Sequence, residues 1–128
     1  MAKFLFVTDL DNTLVGDDSA LSELNHLLRS SAVTHGSKIV YITGRSLTLY
    51  RKLATEKHLL EPDALVTAVG TEIYFNPNDE TAHPTWSEQL SQGWNRELVV
   101  ATASHFADLV PQPDTEQRPF KVSYFLTE

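Results

Sequence analysis

Phe4-Leu5-Phe6-Val7-Thr8-Asp9-Leu10-Asp11-Asn12-Thr13-Leu14 is the stretch that decides the fold. Residues 4–10 form an apolar run with aromatic and β-branched members, too short for a helix. The run reads as a strand buried on both faces, the habit of parallel sheets. Asp9 and Asp11 then put two carboxylates at the carboxyl end of that strand, where open α/β sheets bind ligands. On a straight strand, residues i and i+2 share a face; a bend after Leu10 aims both carboxylates at one point from different sides. A bare Asp-x-Asp after a strand is an ordinary turn cap, held by side-chain hydrogen bonds. The longer string gives the pair a chemical reading as well.

Outward from this strand the chain alternates. Asp17, Asp18 and Ser19 offer capping groups and negative charge to a helix striped by Leu21, Leu24, Leu27 and Leu28. That helix is expected to fade near Ser30–Ser31, with Gly36 turning the chain out. Lys38 to Ile42 reads as a second strand, Leu47, Tyr50, Leu53 and Ala54 as a second helical stripe closed by Glu61-Pro62, and Ala64 to Val69 as a third strand. Glu72 to Phe75 continues extended after Gly70. This βαβαβ order predicts an α/β fold with a parallel sheet and right-handed crossovers. A polar loop over 76–85 follows. Trp86, Leu90, Trp94, Leu98 and Ala101 then step at helical spacing, with Phe106, Leu109 and Val110 extending the stripe and Gly93 a candidate break. A second polar loop over 111–119 reads as a hinge-like connection, and 120–126 as a strand.

Composition narrows the classes. The chain has 128 residues, 41% hydrophobic and 21% charged, with a formal net charge of −7 and no cysteine. One domain of this size can bury a core. The negative balance argues against nucleic acid, since nothing supplies a basic stripe. No apolar run approaches the roughly 20 residues that span a bilayer, and the start lacks the long apolar segment of a signal peptide. The absence of cysteine excludes disulfides and thiolate metal sites and fits a reducing cytoplasm. His26, His35, His58, His83 and His105 lie too far apart for a ligand motif.

Phosphoryl transfer through an aspartate needs an in-line nucleophilic oxygen, an acid for the departing alkoxide and a divalent cation to offset negative charge. Asp9 suits nucleophile and Mg²⁺ ligand. Asp11 suits general acid, then base for attack by water, with its main-chain carbonyl also on the metal. Thr43-Gly44-Arg45-Ser46 closes the second strand and opens a helix, so a hydroxyl and main-chain N–H groups meet at a helix N-terminus, a ready phosphate cradle. With the first two strands adjacent, Thr43 faces Asp9. Arg45 reads equally as a phosphate or substrate contact and as a surface ion pair.

Taken together, these strings resemble the haloacid dehalogenase superfamily: residues 9–13 its first motif, Thr43 and Gly44 its second. Leu10 to Asp17, Tyr41 to Ser46, Glu61-Pro62-Asp63, Thr67 to Tyr74, Trp86, Trp94 and Lys121-Val122-Ser123-Tyr124 look most like the sucrose-phosphate phosphatase family, and the likeness covers essentially the whole chain. The resemblance implies a Rossmann-like three-layer core, here partial. Residues 1–110 would be its N-terminal part, and 111–128 a linker and the first strand of a cap domain. It implies Mg²⁺-dependent hydrolysis of sucrose 6-phosphate through an aspartyl-phosphate. Asp9 and Asp11 would be catalytic and metal-binding, Asn12, Thr43 and Gly44 would hold phosphate, and Arg45, Gly70, Glu72 and Lys121 would face substrate. Glu72 is as readily an exposed strand charge, and Lys121 an ordinary edge-strand lysine.

The same resemblance calls for a later lysine and an acidic Gly-Asp loop. After Leu60 the only lysine is Lys121, which belongs to the cap string. The expectation is therefore an amino-terminal piece of such an enzyme, with its first strand an exposed sheet edge open to association. Hydrolysis by the 128-residue chain at ordinary phosphatase rates is the result that contradicts it. The alternative is a non-catalytic relative that binds sugar phosphate and associates with a sucrose-synthesising enzyme.

Overall fold

A computed structural model describes residues 2–127. Its main sheet has the order β1 (Leu5–Asp9), β2 (Lys38–Ile42), β3 (Ala64–Thr67) and β4 (Glu72–Tyr74). The first three strands are parallel and β4 returns antiparallel to β3. The alternation read from sequence is therefore present, with β1 at one edge.

Two helices cover one face. Helix α1 (Asp18–His35) starts on the Asp17 side chain, which accepts from the Ala20 N–H at 2.9 Å. It runs past the expected fade at Ser30–Ser31. Ser31 is buried and its hydroxyl meets that of Ser37 at 2.8 Å, so the serine serves packing instead of ending the helix. The stop is Gly36, left-handed at φ 71°. Helix α2 (Leu47–Lys57) is capped by the Ser46 hydroxyl, which accepts from the Leu49 N–H. Leu21 and Leu28 of α1 and Tyr50 and Leu53 of α2 pack with Ile39, Tyr41, Leu65 and Tyr74 of the sheet to form the core. Burial in this core pushes the Tyr50 hydroxyl up to about 12.

The opposite face is open. Leu5, Val7 and Ile42 are 64%, 49% and 42% exposed, so β1 is not buried on both faces as its composition predicts. Its alternate side chains face solvent, and among the described residues β2 is its one neighbour in the sheet.

The later stripe divides. Helix α3 (Pro84–Ser91) begins on Pro84, a favoured first helical residue that shortens the expected loop. Gly93, left-handed at φ 72°, breaks the stripe before α4 (Arg96–Ala103). The stripe does not continue to Val110: β5 (Leu109–Pro111) is extended and pairs antiparallel with β6 (Tyr124–Leu126). Leu109 and Val110 find strand partners there that a helix would deny them. Strand β6 is shorter than expected, since residues 120–123 bend through a bridge between Arg118 and Lys121. Among the described residues no helix is long and apolar enough to cross a membrane.

Candidate active site

Asp9 lies opposite Ile42 in the β1–β2 register. Thr43 is thus one residue beyond Asp9's partner, at the same end of the sheet. Leu10 and Leu14 are buried, while Asn12 and Thr13 between them are exposed and Asp11 is partly so. The Leu10 carbonyl accepts from both Thr13 and Val15, at 3.2 and 2.9 Å, and draws the loop tight. Asn12 is left-handed at φ 59°, a conformation asparagine tolerates. The buried leucines act as two pins that push the polar residues toward solvent.

Within this loop one oxygen of exposed Asp9 accepts from the Leu10 N–H at 2.8 Å, and the other meets the Thr13 hydroxyl at 3.5 Å. One oxygen is fixed and the other lightly held. Asp11 is bound differently: Arg45 Nε and Nη2 donate to its two oxygens, both at 2.9 Å. The Arg45 hydrogen bond holds the Asp11 carboxyl below its ordinary range, and Asp11 in turn raises the Arg45 guanidinium. Of the two readings of Arg45, substrate contact or ion pair, the structure shows the ion pair, and its partner is the second aspartate.

Thr43 is buried. Its N–H donates to Val66 at 2.9 Å and its hydroxyl accepts from the Arg45 N–H at 3.1 Å. Gly44 is exposed, and its N–H has no partner among the described residues. The cradle predicted at α2 is narrower than expected, because Ser46 and Leu49 already spend their N–H groups.

A strained turn flanks it. Ala68, Val69 and Gly70 are all left-handed, at φ 51°, 59° and 85°. The expected third strand consequently ends at Thr67. A β-branched residue in this region is an outlier, and each such residue costs about 1–3 kcal/mol. Ala68 and Val69 are fastened to the cradle, donating to Arg45 O at 2.8 Å and Thr43 O at 3.3 Å. Val69 is 68% exposed, an apolar side chain held beside Gly44. The carbonyl of Gly70, a predicted substrate contact, accepts from Trp86 Nε1 at 2.9 Å.

Glu72 and Lys121 do not reach the Asp9 loop through any hydrogen bond among the described residues. Glu72 is neither an exposed charge nor a free acceptor. It is buried and takes Arg118 Nη2 at 2.6 Å, with Nε at 3.1 Å from both oxygens. Lys121 Nζ donates to the Glu116 carbonyl at 3.0 Å, and burial lowers its ammonium. The tryptophans, expected on one stripe, instead tie loops together: Trp94 Nε1 donates to Pro119 O at 2.8 Å.

Sequence reading missed Glu116, which is buried. Its carboxylate accepts from the Ser46 N–H at 2.9 Å and the Ser46 hydroxyl at 2.5 Å. Burial pushes this carboxyl up, but hydrogen bonds from Ser46 and Thr115 together with the charge of Lys121 make the net shift downward. The 111–119 stretch is accordingly no free hinge. Nothing in Thr115-Glu116-Gln117-Arg118 distinguishes it from a solvated polar loop, so no sequence signal marked it.

A mainly parallel sheet with Asp9 closing its first strand, Asp11 just past it and a Thr-Gly turn past its second has the α/β fold of the haloacid dehalogenase type. A haloacid dehalogenase-like hydrolase from Bacillus subtilis shares that fold at 18% identity and a TM-score of 0.58, over 84% of this chain and 54% of its own. Residues 2–128 match the family described as sucrose-6F-phosphate phosphohydrolase, and the chain belongs to that family. Probable sucrose-phosphatase 3a of Arabidopsis thaliana is 41% identical over 97% of this chain and 30% of its own length. The sucrose-phosphatase of Synechocystis, solved in complex with sucrose and phosphate, superposes with a TM-score of 0.87 at 41% identity, over 98% of this chain and 50% of that one. The chain thus spans about 30% of the length of the plant sucrose-phosphatases it matches.

Proposed function

We propose that this chain carries the phosphoryl-transfer centre of a phosphatase acting on sucrose 6-phosphate. The observation that carries the reading is the convergence of Asp9, Asp11 and the Thr43–Gly44 turn at one end of the sheet. The lightly held Asp9 oxygen attacks phosphorus in line with the ester oxygen. A bond from the Asp9 oxygen to phosphorus forms as the bond between phosphorus and the ester oxygen breaks, and Asp11 gives the departing sugar alkoxide a proton. Asp11, now a carboxylate, takes a proton from the water that cleaves the aspartyl-phosphate and releases phosphate. The free Gly44 N–H and the Thr43 hydroxyl, positioned beneath it, hold the non-bridging oxygens.

Arg45 sets a condition on this sequence. While it grips Asp11, the carboxyl stays ionised and cannot act as an acid. A phosphate dianion is a stronger bidentate partner for a guanidinium, so substrate draws Arg45 away and frees Asp11 for protonation.

Mg²⁺ is the metal the donor chemistry suits. The Asp9 carboxylate and the Asp11 carbonyl are hard oxygen donors, though no group of three His, Cys, Asp or Glu able to hold a metal occurs among the described residues. Two protein donors hold Mg²⁺ weakly, with water in most positions. When bound, the ion offsets the charge of phosphoryl group and nucleophile.

We read β5 and β6 as the start of a second unit, with the boundary just before Leu109 so that the strand pair stays whole. A small sugar phosphate fits the net charge of −7 as a partner better than nucleic acid or membrane, and a cysteine-free chain suits the cytoplasm. The free β1 edge suits association with a further chain. The competing reading, a non-catalytic sugar-phosphate-binding relative, draws support from the thin metal donor set. Titrating Mg²⁺ and sucrose 6-phosphate separately distinguishes them: the phosphatase reading requires phosphate release that Asp9→Asn abolishes. Binding without turnover favours the relative, and turnover retained in Asp9→Asn contradicts the nucleophile.

A further inference from the structure

Ser46 is held from a point 70 residues away. Its own hydroxyl already caps α2 through Leu49, yet the Glu116 carboxylate takes both the Ser46 N–H and the Ser46 hydroxyl proton. A second cap is superfluous for an 11-residue helix that has one. An anion placed two residues from Gly44 also repels phosphate. Its position makes sense if it fixes geometry. The segment that delivers it lies between β5 and β6 and is anchored again by Arg118 on buried Glu72. The far side of the same turn is tied to β3 through Thr43, and to the strained turn through Arg45.

We propose that Glu116 is a positioning residue for the phosphate cradle, coupling the seat of the β5–β6 ribbon to the Thr43–Ser46 turn. The inference rests on the phosphatase reading above, because it takes Gly44 as a phosphate donor. With the ribbon seated, Glu116 holds both the N–H and the hydroxyl of Ser46, and the cradle keeps its shape through that contact. The cationic groups around Glu116 are Arg118 and Lys121 on its own segment and Arg45 across the turn, with Glu72 the neighbouring acid.

The test is a titration of the ¹⁵N-labelled chain with inorganic phosphate in Mg²⁺, following the Gly44 amide. Glu116→Gln keeps an acceptor for Ser46 and removes the charge, so phosphate affinity is retained or improved. Glu116→Ala removes both and weakens phosphate by about tenfold, the scale of a lost cap. Ser46→Ala, which keeps its N–H bond to Glu116, is the milder second variant and loses about threefold. Leu28→Ala, far from the turn in the α1 core, lowers the melting temperature without changing phosphate affinity. Glu116→Ala binding phosphate as well as Glu116→Gln overturns the coupling, as does Leu28→Ala losing affinity in step with its stability. An unmodified chain that binds no phosphate overturns the phosphatase reading itself, and the coupling falls with it.

Discussion

Two of the arginine–carboxylate pairs in this small chain are built for opposite ends. Arg45–Asp11 lies at the open end of the sheet, with 45% of the aspartate side chain exposed. Arg118–Glu72 joins the 114–118 segment to β4, with 5% of the glutamate side chain exposed. Both use Nε and Nη2 and touch both carboxylate oxygens, although in the second pair the two nitrogens share Oε1, so the choice of donors does not separate them. Solvent does. Asp11 loses little if Arg45 turns away, because water replaces it, whereas Glu72 without Arg118 is a bare carboxylate inside the protein. The exposed pair can exchange partners and the buried one cannot, which is why ligand chemistry falls to the first and architecture to the second.

The largest effect expected on this contrast comes beside the exposed pair. Under the proposed phosphatase reading, Asp9→Asn abolishes whatever phosphate the chain releases from sucrose 6-phosphate, while stability in urea changes by less than about 0.5 kcal/mol. A comparable loss of stability breaks the division between chemistry and architecture. Next, Arg118→Ala destabilises the chain by about 2–3 kcal/mol, below the usual cost for a buried pair because the arginine is partly exposed. Adding Glu72→Met recovers most of that in urea denaturation, since no charge is then left buried. A double variant no better than Arg118→Ala removes the desolvation argument.

Smaller still, Val69→Asn is expected to stabilise by about 1 kcal/mol, because asparagine enters the left-handed region more readily than a β-branched residue. The gain appears in the melting temperature, and an unchanged or lowered value means the surrounding bonds, not Val69, set the turn. The smallest effect is the pH dependence carried by Arg45. Asp11 has its folded value depressed by that arginine. Its contribution is therefore fully present above the unfolded value of about 3.9 and is lost as pH falls through the lower folded value. Melting curves of Arg45→Met between pH 5 and 2 should show a shallower acid decline than the parent chain. An identical decline assigns the acid lability elsewhere, to Asp63 and Glu116, whose carboxyls are also held below their ordinary range.

The legible half of the molecule is the half whose physics is local. A short apolar run ending in Asp9, a capped helix and a Thr-Gly turn each carry their structure in a few adjacent residues, so β1, α1, β2 and the turn into α2 could be read directly. Glu72, Arg118 and Glu116 were opaque because their state depends on partners 46 and 70 residues away. A charged residue in a polar stretch looks the same whether it is solvated or locked. The Ala68–Val69 turn was invisible for a related reason: its backbone opposes the preference of its own side chains and is held by tertiary hydrogen bonds. The exposed face of β1 shows the converse. Its composition describes a strand buried on both faces, and in this structure the face carrying Leu5 and Val7 is open.

The central claim is that Asp9, Asp11 and the Thr43–Gly44 turn form one phosphate site. Titrating sucrose 6-phosphate with Mg²⁺ into the ¹⁵N-labelled chain tests it most directly. The account predicts saturable shifts concentrated at the Asn12, Thr43, Gly44 and Val69 amides, together with displacement of the Arg45 Nε–H signal. Shifts absent from all of these residues, or confined to a different surface, contradict it.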